Sequence, residues 1–315
     1  MRILVFGAGA LGQAVGCMLA AAGHAVDMIL RERFRAVIAS EGLMVTGLFG
    51  DYNTAPADIG VHTSISPIRD GMFDYALVTV KSYDTPAAAS ELLTLCHQTF
   101  TAVSMQNGCG NLEILRDRFG EDRTLAARVI TGFEIDHPGL VRITVSADDV
   151  HIGGCIEGKI PETASLLAEA IRASGLPCVT TPTVHRDLFA KLLYNSALNP
   201  LGAALGVHYG ALGDDPHARA IMNGVIREVF AVMRAMGART HWETPEAYEE
   251  YFYGVQLPAT YHHRSSMLHD LREGKRTEID AFTGYVSSEG RRHGIATPVC
   301  DTLSRLVLFL ETHGR

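Results

Sequence analysis

The sequence lacks the markers of several protein classes. Its six cysteines stand at positions 17, 96, 109, 155, 178 and 300, and no two form a C-x-x-C pair. That argues against a disulfide framework and for reduced, mostly buried thiols in a cytoplasmic protein. Glycine (31 of 315 residues) and proline (12) are too scarce for a fibrous or low-complexity chain. No run of clustered lysine or arginine occurs, and the formal net charge is −8. Such a chain is a poor general polyanion binder, so neither nucleic acid nor an anionic membrane surface is expected as a partner. The 14 histidines include no H-E-x-x-H, and His262-His263 with His269 has no recognisable ligand spacing, so no metal site is expected.

What is present is globular. Hydrophobic residues make up 47% of the chain and charged residues 20%, which excludes a mainly disordered protein. A length of 315 residues exceeds what one core usually organises, so two domains are expected.

Residues 3–22 are almost unbroken apolar or small, after a single Arg2, and imitate a secretion signal or a membrane span. The glycines point elsewhere. Ile3-Leu4-Val5-Phe6 is a short β-rich run that meets Gly7-Ala8-Gly9-Ala10-Leu11-Gly12. A small-residue helix follows to Gly23, and then a second strand, Ala25–Leu30. Strand, tight turn, helix and strand make one βαβ unit with a G-x-G-x-x-G turn. In such a turn Gly7 permits the tight bend, Gly9 lets backbone approach a pyrophosphate, and Gly12 lets helix and strand pack closely. The helix N-terminus offers N–H groups and a positive dipole end to phosphates.

The end of the second strand selects the dinucleotide. An NAD site usually has an acid there, bonding the ribose 2′-hydroxyl. Arg31 occupies that place, and its planar fork suits a 2′-phosphate, favouring NADP. Glu32 would serve a ribose if the register moved by one, and Asp27 sits mid-strand. Two further continuous apolar strands, Ala76–Val80 and Ala102–Met105, end at Lys81 and at Gln106-Asn107-Gly108. Ligands of open α/β sheets bind beyond such ends, which makes Lys81 and Asn107 cofactor or substrate candidates. Short strands are expected over 128–154, a helix over 162–174 and a last strand at Cys178–Thr180.

After Pro182 the text turns helical, with loops expected near 206–215 and 237–244. The expectation is an α/β domain built on a parallel sheet (1–181) and an all-helical domain (182–315). In the first helix of the second half, Lys191, Asn195 and Asn199 recur every four residues and share one face. Such a stripe suits either a polar cleft or solvent, and Pro200 should bend the helix. Thr277 and Asp280 resemble a helix cap that would place Glu278 in a first turn. Leu303, Leu306, Val307 and Leu310 fit a core or a homodimer contact equally.

Several segments, in this order, resemble the ketopantoate reductase family. They are the opening G-A-G-A-L-G, Val80-Lys81-Ser82, Gln106-Asn107-Gly108, Ala190–Leu201, Ser265–Asp270 and Arg276–Asp280. The resemblance implies a Rossmann-type domain for NADP(H) and a helical domain closing over a 2-keto acid. It implies Lys191 as the catalytic lysine and Glu278 as its acidic partner on the substrate hydroxyl. By the same resemblance Asn107, Asn195, Asn199 and Ser266 contact substrate, while Arg31 meets the 2′-phosphate and Lys81 lies near the cofactor. Hydride attack turns a carbonyl oxygen into an alkoxide, and an ammonium both stabilises that charge and delivers a proton. The expected activity is NADPH-dependent reduction of 2-dehydropantoate, in pantothenate biosynthesis. A reductase of another 2-keto acid, using NADPH or NADH, and a non-catalytic dinucleotide sensor are the alternatives. Tyr261-His262-His263-Arg264 is bulkier and more polar than the family pattern, which bears on substrate choice.

Overall fold

The computed structural model describes residues 1–314. The chain divides into two compact units. One comprises Met1–Asn107 and Asn111–Val184; the other comprises Gly108–Gly110 and the chain from His185 onward. The change of texture expected at 181 thus lies beside a division after Val184, and three residues from the first half of the sequence belong to the second unit.

In the first unit, alternate side chains of strand β1 (Arg2–Phe6) enter different cores. Ile3 and Val5 join one apolar cluster, and Leu4 and Phe6 another. A strand covered on both faces must be apolar throughout, which is why Ile3-Leu4-Val5-Phe6 has no polar break. Each such side chain stabilises the fold by about 1.5–3 kcal/mol on burial. After helix α1 (Ala10–Ala21) come β2 (Ala25–Ile29), α2 (Glu32–Glu41), β3 (Leu43–Gly47), β4 (Tyr52–Thr54), β5 (Ile59–His62) and β6 (Tyr75–Val78). The unit continues with α3 (Thr85–Leu92), β7 (Thr101–Ser104), α4 (Asn111–Phe119), β8 (Thr124–Arg128), β9 (Thr131–His137), β10 (Leu140–Ser146), β11 (Val150–Gly154), α5 (Glu162–Ala173) and β12 (Cys178–Thr180).

Eight of these strands form a sheet in the order β12-β11-β8-β7-β6-β1-β2-β5. The pairs from β5 to β8 are parallel, whereas β11 pairs antiparallel to β8 and parallel to β12. The chain winds outward from β1 in both directions, so the crevice between β1 and β6 is the switch point where such sheets take ligands. The other four strands make a second sheet, β4-β3-β10-β9. It packs on the outer side of α1, with Leu43, Val45, Val141 and Ile143 in one cluster with Val15, Met18 and Leu19. Gly12 through Leu19 are therefore all buried. A helix enclosed between two sheets has no polar face to keep, and this explains the apolar run that imitates a targeting segment.

The regular structure of the second unit is helical, with no strand among its described residues. Helix α6 (Val184–Leu205) leads to α7 (Tyr209–Asp214), α8 (Pro216–Ala235) and α9 (Pro245–Tyr251). A π-helical turn at Phe252–Gln256 joins α9 to α10 (Leu257–Ala259), and α11 (Ser266–Arg272), α12 (Thr283–His293) and α13 (Pro298–His313) follow. One expectation needs correction here. Residues 206–215 are not simply a loop, since they contain α7. The His208 ring accepts from the Ala211 N–H, and Asp215 ends α7 and caps α8 by accepting from His217 and Ala218. Pro200 lies inside α6. The helix runs on to Leu205, with Leu198, Leu201 and Ala203 held in the core. Glu228 of α8 caps α13 with both carboxylate oxygens, accepting from Val299 and Cys300 at 2.8 Å each. Among the described residues, no helix is long and apolar enough to cross a membrane.

Candidate active site

The glycine turn begins where β1 ends. Gly7 has φ +88°, and a Cβ there would stand 2.1 Å from Val80 Cγ1 and 2.8 Å from Val80 Cα. Only glycine tolerates both conditions. The N–H groups of Gly7 and Ala8 both donate to the Ile29 carbonyl (3.0 and 2.8 Å), so the amide of Ala8 is committed to β2. Gly9 is the N-cap of α1 and has no capping side chain. A Cβ at Gly9 would meet nothing nearer than the Gly7 oxygen at 4.0 Å, so this side of the turn is open. The first-turn N–H groups of Ala10, Leu11 and Gly12 donate to no group among the described residues. Gly12 is closed instead, because a Cβ there would lie 2.5 Å from Thr79 Oγ1. The open glycine, the bare amides and the dipole end fit a pyrophosphate.

Two side chains that sequence reading passed over brace this turn. The Thr79 hydroxyl approaches the carbonyls of Phe6 (3.3 Å) and Gly7 (3.1 Å). Gln13, fully buried, donates from Nε2 to the Ala8 oxygen at 2.9 Å. The glycine spacing hides both, since their role depends on which atoms lie beneath the turn.

Arg31, exposed, precedes α2 with extended backbone. Glu32 lies in the first turn of α2, and both its oxygens accept from Arg35 at 2.7–3.0 Å. The Arg35 guanidinium holds that carboxyl below its usual range. Asp27 is engaged too, with His62 Nε2 at 2.8 Å and Arg2 at 3.2 Å. Both acids that could serve a ribose are thus paired, while Arg31 stands at the strand end. Lys81 follows β6, half-buried, and Asn107 follows β7, exposed. The ends of β2, β1, β6 and β7 therefore bring Arg31, the glycine turn, Lys81 and Asn107 to one edge of the sheet.

In the second unit, α6 carries the Lys191-Asn195-Asn199 stripe. It is not a solvated face: Asn195 and Asn199 are only 9% and 5% exposed, and Lys191 is half-buried. The Tyr209 hydroxyl donates to Asn199 Oδ1 at 2.5 Å. That fixes the carboxamide and leaves its NH2 to donate elsewhere. Burial pushes the Tyr209 phenol well above its ordinary pKa, so it remains a donor. Tyr194 packs edge-on against Tyr209 at 5.9 Å and donates to Thr260 at 2.8 Å. Ser265 caps α11 by accepting from Leu268 at 3.1 Å, and its hydroxyl lies 3.5 Å from the Asn199 carbonyl. Ser266, the next residue, is exposed at the start of that helix. The unusual 261–264 segment lies against the same tyrosine. Tyr209 N–H donates to the His263 carbonyl (3.0 Å), and their rings stand 5.2 Å apart.

The cap expected at Thr277–Asp280 is a correction. No α-helix starts there, only a 3-10 turn at Ile279–Ala281, and α12 opens later, at Thr283. Thr277 Oγ1 accepts from Ile279 N–H at 3.3 Å but gives its proton to Glu311 of α13 at 2.5 Å. Asp280 is too short for the reciprocal bond and turns outward to Arg276 at 3.2 Å. Glu278 is consequently not a solvated first-turn acid, being only 6% exposed. Gly108 seats on the same turn. A Cβ at Gly108 would lie 2.5 Å from Ala281, whose carbonyl accepts from Cys109 N–H at 3.0 Å.

Residues 3–155 match the family described as ketopantoate reductase PanE/ApbA, and residues 183–311 match its C-terminal counterpart. The 2-dehydropantoate 2-reductase of Aquifex aeolicus is 34% identical over 314 residues, covering 99% of this chain and 97% of that protein. The enzyme of the same name from Archaeoglobus fulgidus is 31% identical, covering 99% and 98%. The crystal structure of a PanE/ApbA family ketopantoate reductase from Ralstonia eutropha superposes with a TM-score of 0.85 at 31% identity, covering 99% of each chain. With both halves of the sequence matched and relatives aligned end to end, the chain belongs to the ketopantoate reductase family of oxidoreductases.

Proposed function

We propose that this protein reduces 2-dehydropantoate to pantoate with NADPH, a step of pantothenate and coenzyme A biosynthesis, in the cytoplasm. The observation that carries the reading is the Lys191-Asn195-Asn199 face of α6, where a half-buried lysine stands on the same face as two nearly buried carboxamides and offers a polar surface suited to a polar ligand. In this reading the first unit holds the dinucleotide and the second the keto acid. Gly7, Ala8, Gly9, Ala10, Leu11 and Gly12 form the pyrophosphate turn, with the bare first-turn amides as donors. Arg31 takes the 2′-phosphate, favoured over a free ribose because Glu32 and Asp27 are already paired. Lys81 and Asn107 complete the cofactor side. The dinucleotide, when bound, supplies the hydride.

The chain's own residues then handle charge and proton. Lys191 Nζ stabilises the oxygen that becomes an alkoxide and gives it a proton. Asn107, Asn195, Asn199 and Ser266 offer neutral donors to the keto acid, orienting it without placing a second charge beside Lys191. Glu278 accepts from the substrate hydroxyl. The test is absorbance loss of NADPH with a panel of 2-keto acids. We expect turnover of 2-dehydropantoate to exceed that of its analogue lacking the hydroxyl, and NADPH to outperform NADH. No turnover with any 2-keto acid overturns the reading, and faster turnover of the analogue overturns the assigned substrate.

A further inference from the structure

At the carboxyl ends of β6 and β7, buried side chains form one directed run of hydrogen bonds. Ser104 Oγ donates to Gln106 Oε1 at 3.3 Å. Gln106 Nε2 donates twice, to the Val80 carbonyl at 3.0 Å and to Thr85 Oγ1 at 2.6 Å. The Thr85 hydroxyl passes its single proton to Asn111 Oδ1 at 2.7 Å. Asn111 Nδ2 then donates to the Asn107 carbonyl at 3.0 Å. Every donor in the run meets an acceptor. Turning either carboxamide over would set its oxygen against a backbone carbonyl, that of Val80 or of Asn107, so the run has one direction.

Thr85 is fully buried and Asn111 and Gln106 nearly so, which makes each an expensive choice where apolar side chains would pack. The ends of the run show what the choice achieves. Both are backbone carbonyls, one just before Lys81 and the other of Asn107 itself. Thr85 and Asn111 open α3 and α4, so two helix starts and two strand ends are tied together. The last bond also spans Gly108 and Gly110, whose φ of +78° and +96° mark a backbone that needs outside constraint.

We propose that Thr85, Gln106 and Asn111 are positioning residues for the dinucleotide, fixing the backbone that carries Lys81 and Asn107. The inference rests on the reading above, in which Lys81 and Asn107 hold NADPH. Thr85→Val keeps the shape and removes the hydroxyl; Thr85→Ser keeps the hydroxyl. Calorimetric titration with NADPH should show Kd raised about tenfold in Thr85→Val and restored to within about twofold by Thr85→Ser. The KM for NADPH should follow the Kd. A purely structural role would lower Tm and leave the Kd of the folded protein alone. If Thr85→Val does not fold, Asn111→Ala removes the last two links, leaves the Gln106 bonds to Val80 and Thr85 in place, and should show the same shift. A folded hydroxyl-less variant that binds NADPH as the unsubstituted protein does overturns the inference alone. No NADPH uptake by the unsubstituted protein overturns the cofactor reading and the inference with it.

Discussion

In the reading proposed above, the two units build their halves of the chemistry from different materials. The first uses backbone: a glycine turn, bare amides at a helix start, and strand ends aligned by a parallel sheet. The second uses side chains on one helix face, such as Asn199, whose carboxamide is held by Tyr209. A backbone site is specified by where side chains are excluded, as at Gly7 and Gly9. A side-chain site is specified by which polar groups survive burial, as at Asn195 and Asn199. The first suits a ligand region common to many enzymes, and the second suits discrimination among small acids.

The sharpest way to separate the two halves is Lys191→Ala. It should lower kcat by about a thousandfold while calorimetry shows an unchanged NADPH Kd. Near-intact activity would remove the proton donor from the second unit. Within the backbone half, Gly7 and Gly9 should behave differently. Gly7→Ala forces a side chain into Val80 at positive φ and should destabilise the first unit by about 2 kcal/mol in denaturant unfolding. Gly9→Ala has room for its methyl, so stability should hold while NADPH binding weakens about tenfold. A stability loss at Gly9 equal to that at Gly7 would show that the turn is packing alone.

Smaller effects probe orientation and background. Tyr209→Phe should raise KM for the keto acid about fivefold without touching NADPH affinity; a fall in Tm alone would reduce Tyr209 to packing. Asp148 serves as a control away from the glycine turn. Burial opposes its ionisation, yet Arg128 at 2.7 Å and the Asp149 amide outweigh that and hold its carboxyl below the ordinary value. Its stabilising effect is therefore present at neutral pH and lost as pH falls through the lowered folded-state value. The pair is half-exposed on the Asp148 side, so Asp148→Asn should lower Tm near neutrality by only about 1–3 °C. The variant should also flatten the acid limb of a Tm-against-pH curve.

Local pattern carried much of this structure. The strands β1, β6 and β7 were legible because burial on both faces leaves continuous apolar text. The glycine turn was legible because backbone conformation admits few residues there. The Lys191-Asn195-Asn199 stripe was legible as a shared face, though not as a buried one, because spacing says nothing of what lies opposite. Other features depend on partners far away in sequence. The second sheet joins Val45 to Val141, and nothing near either residue announces the other. Thr277 fails as a helix cap because Glu311 takes its proton. The Ser104–Asn107 run was hidden for the same reason, since Thr85 reads locally as an ordinary residue before a proline.

The seating of Gly108–Gly110 has a consequence for anyone dividing this protein. A single cut after Val184 does not separate its two bodies, since the Cys109 amide has its acceptor at Ala281 and Gly108 lies flush against that same residue. A fragment ending at Val184 would carry a three-residue tongue without its socket. The complementary fragment would keep the socket, three residues past Glu278, without the tongue. Sequence order and bodily membership part company at this point.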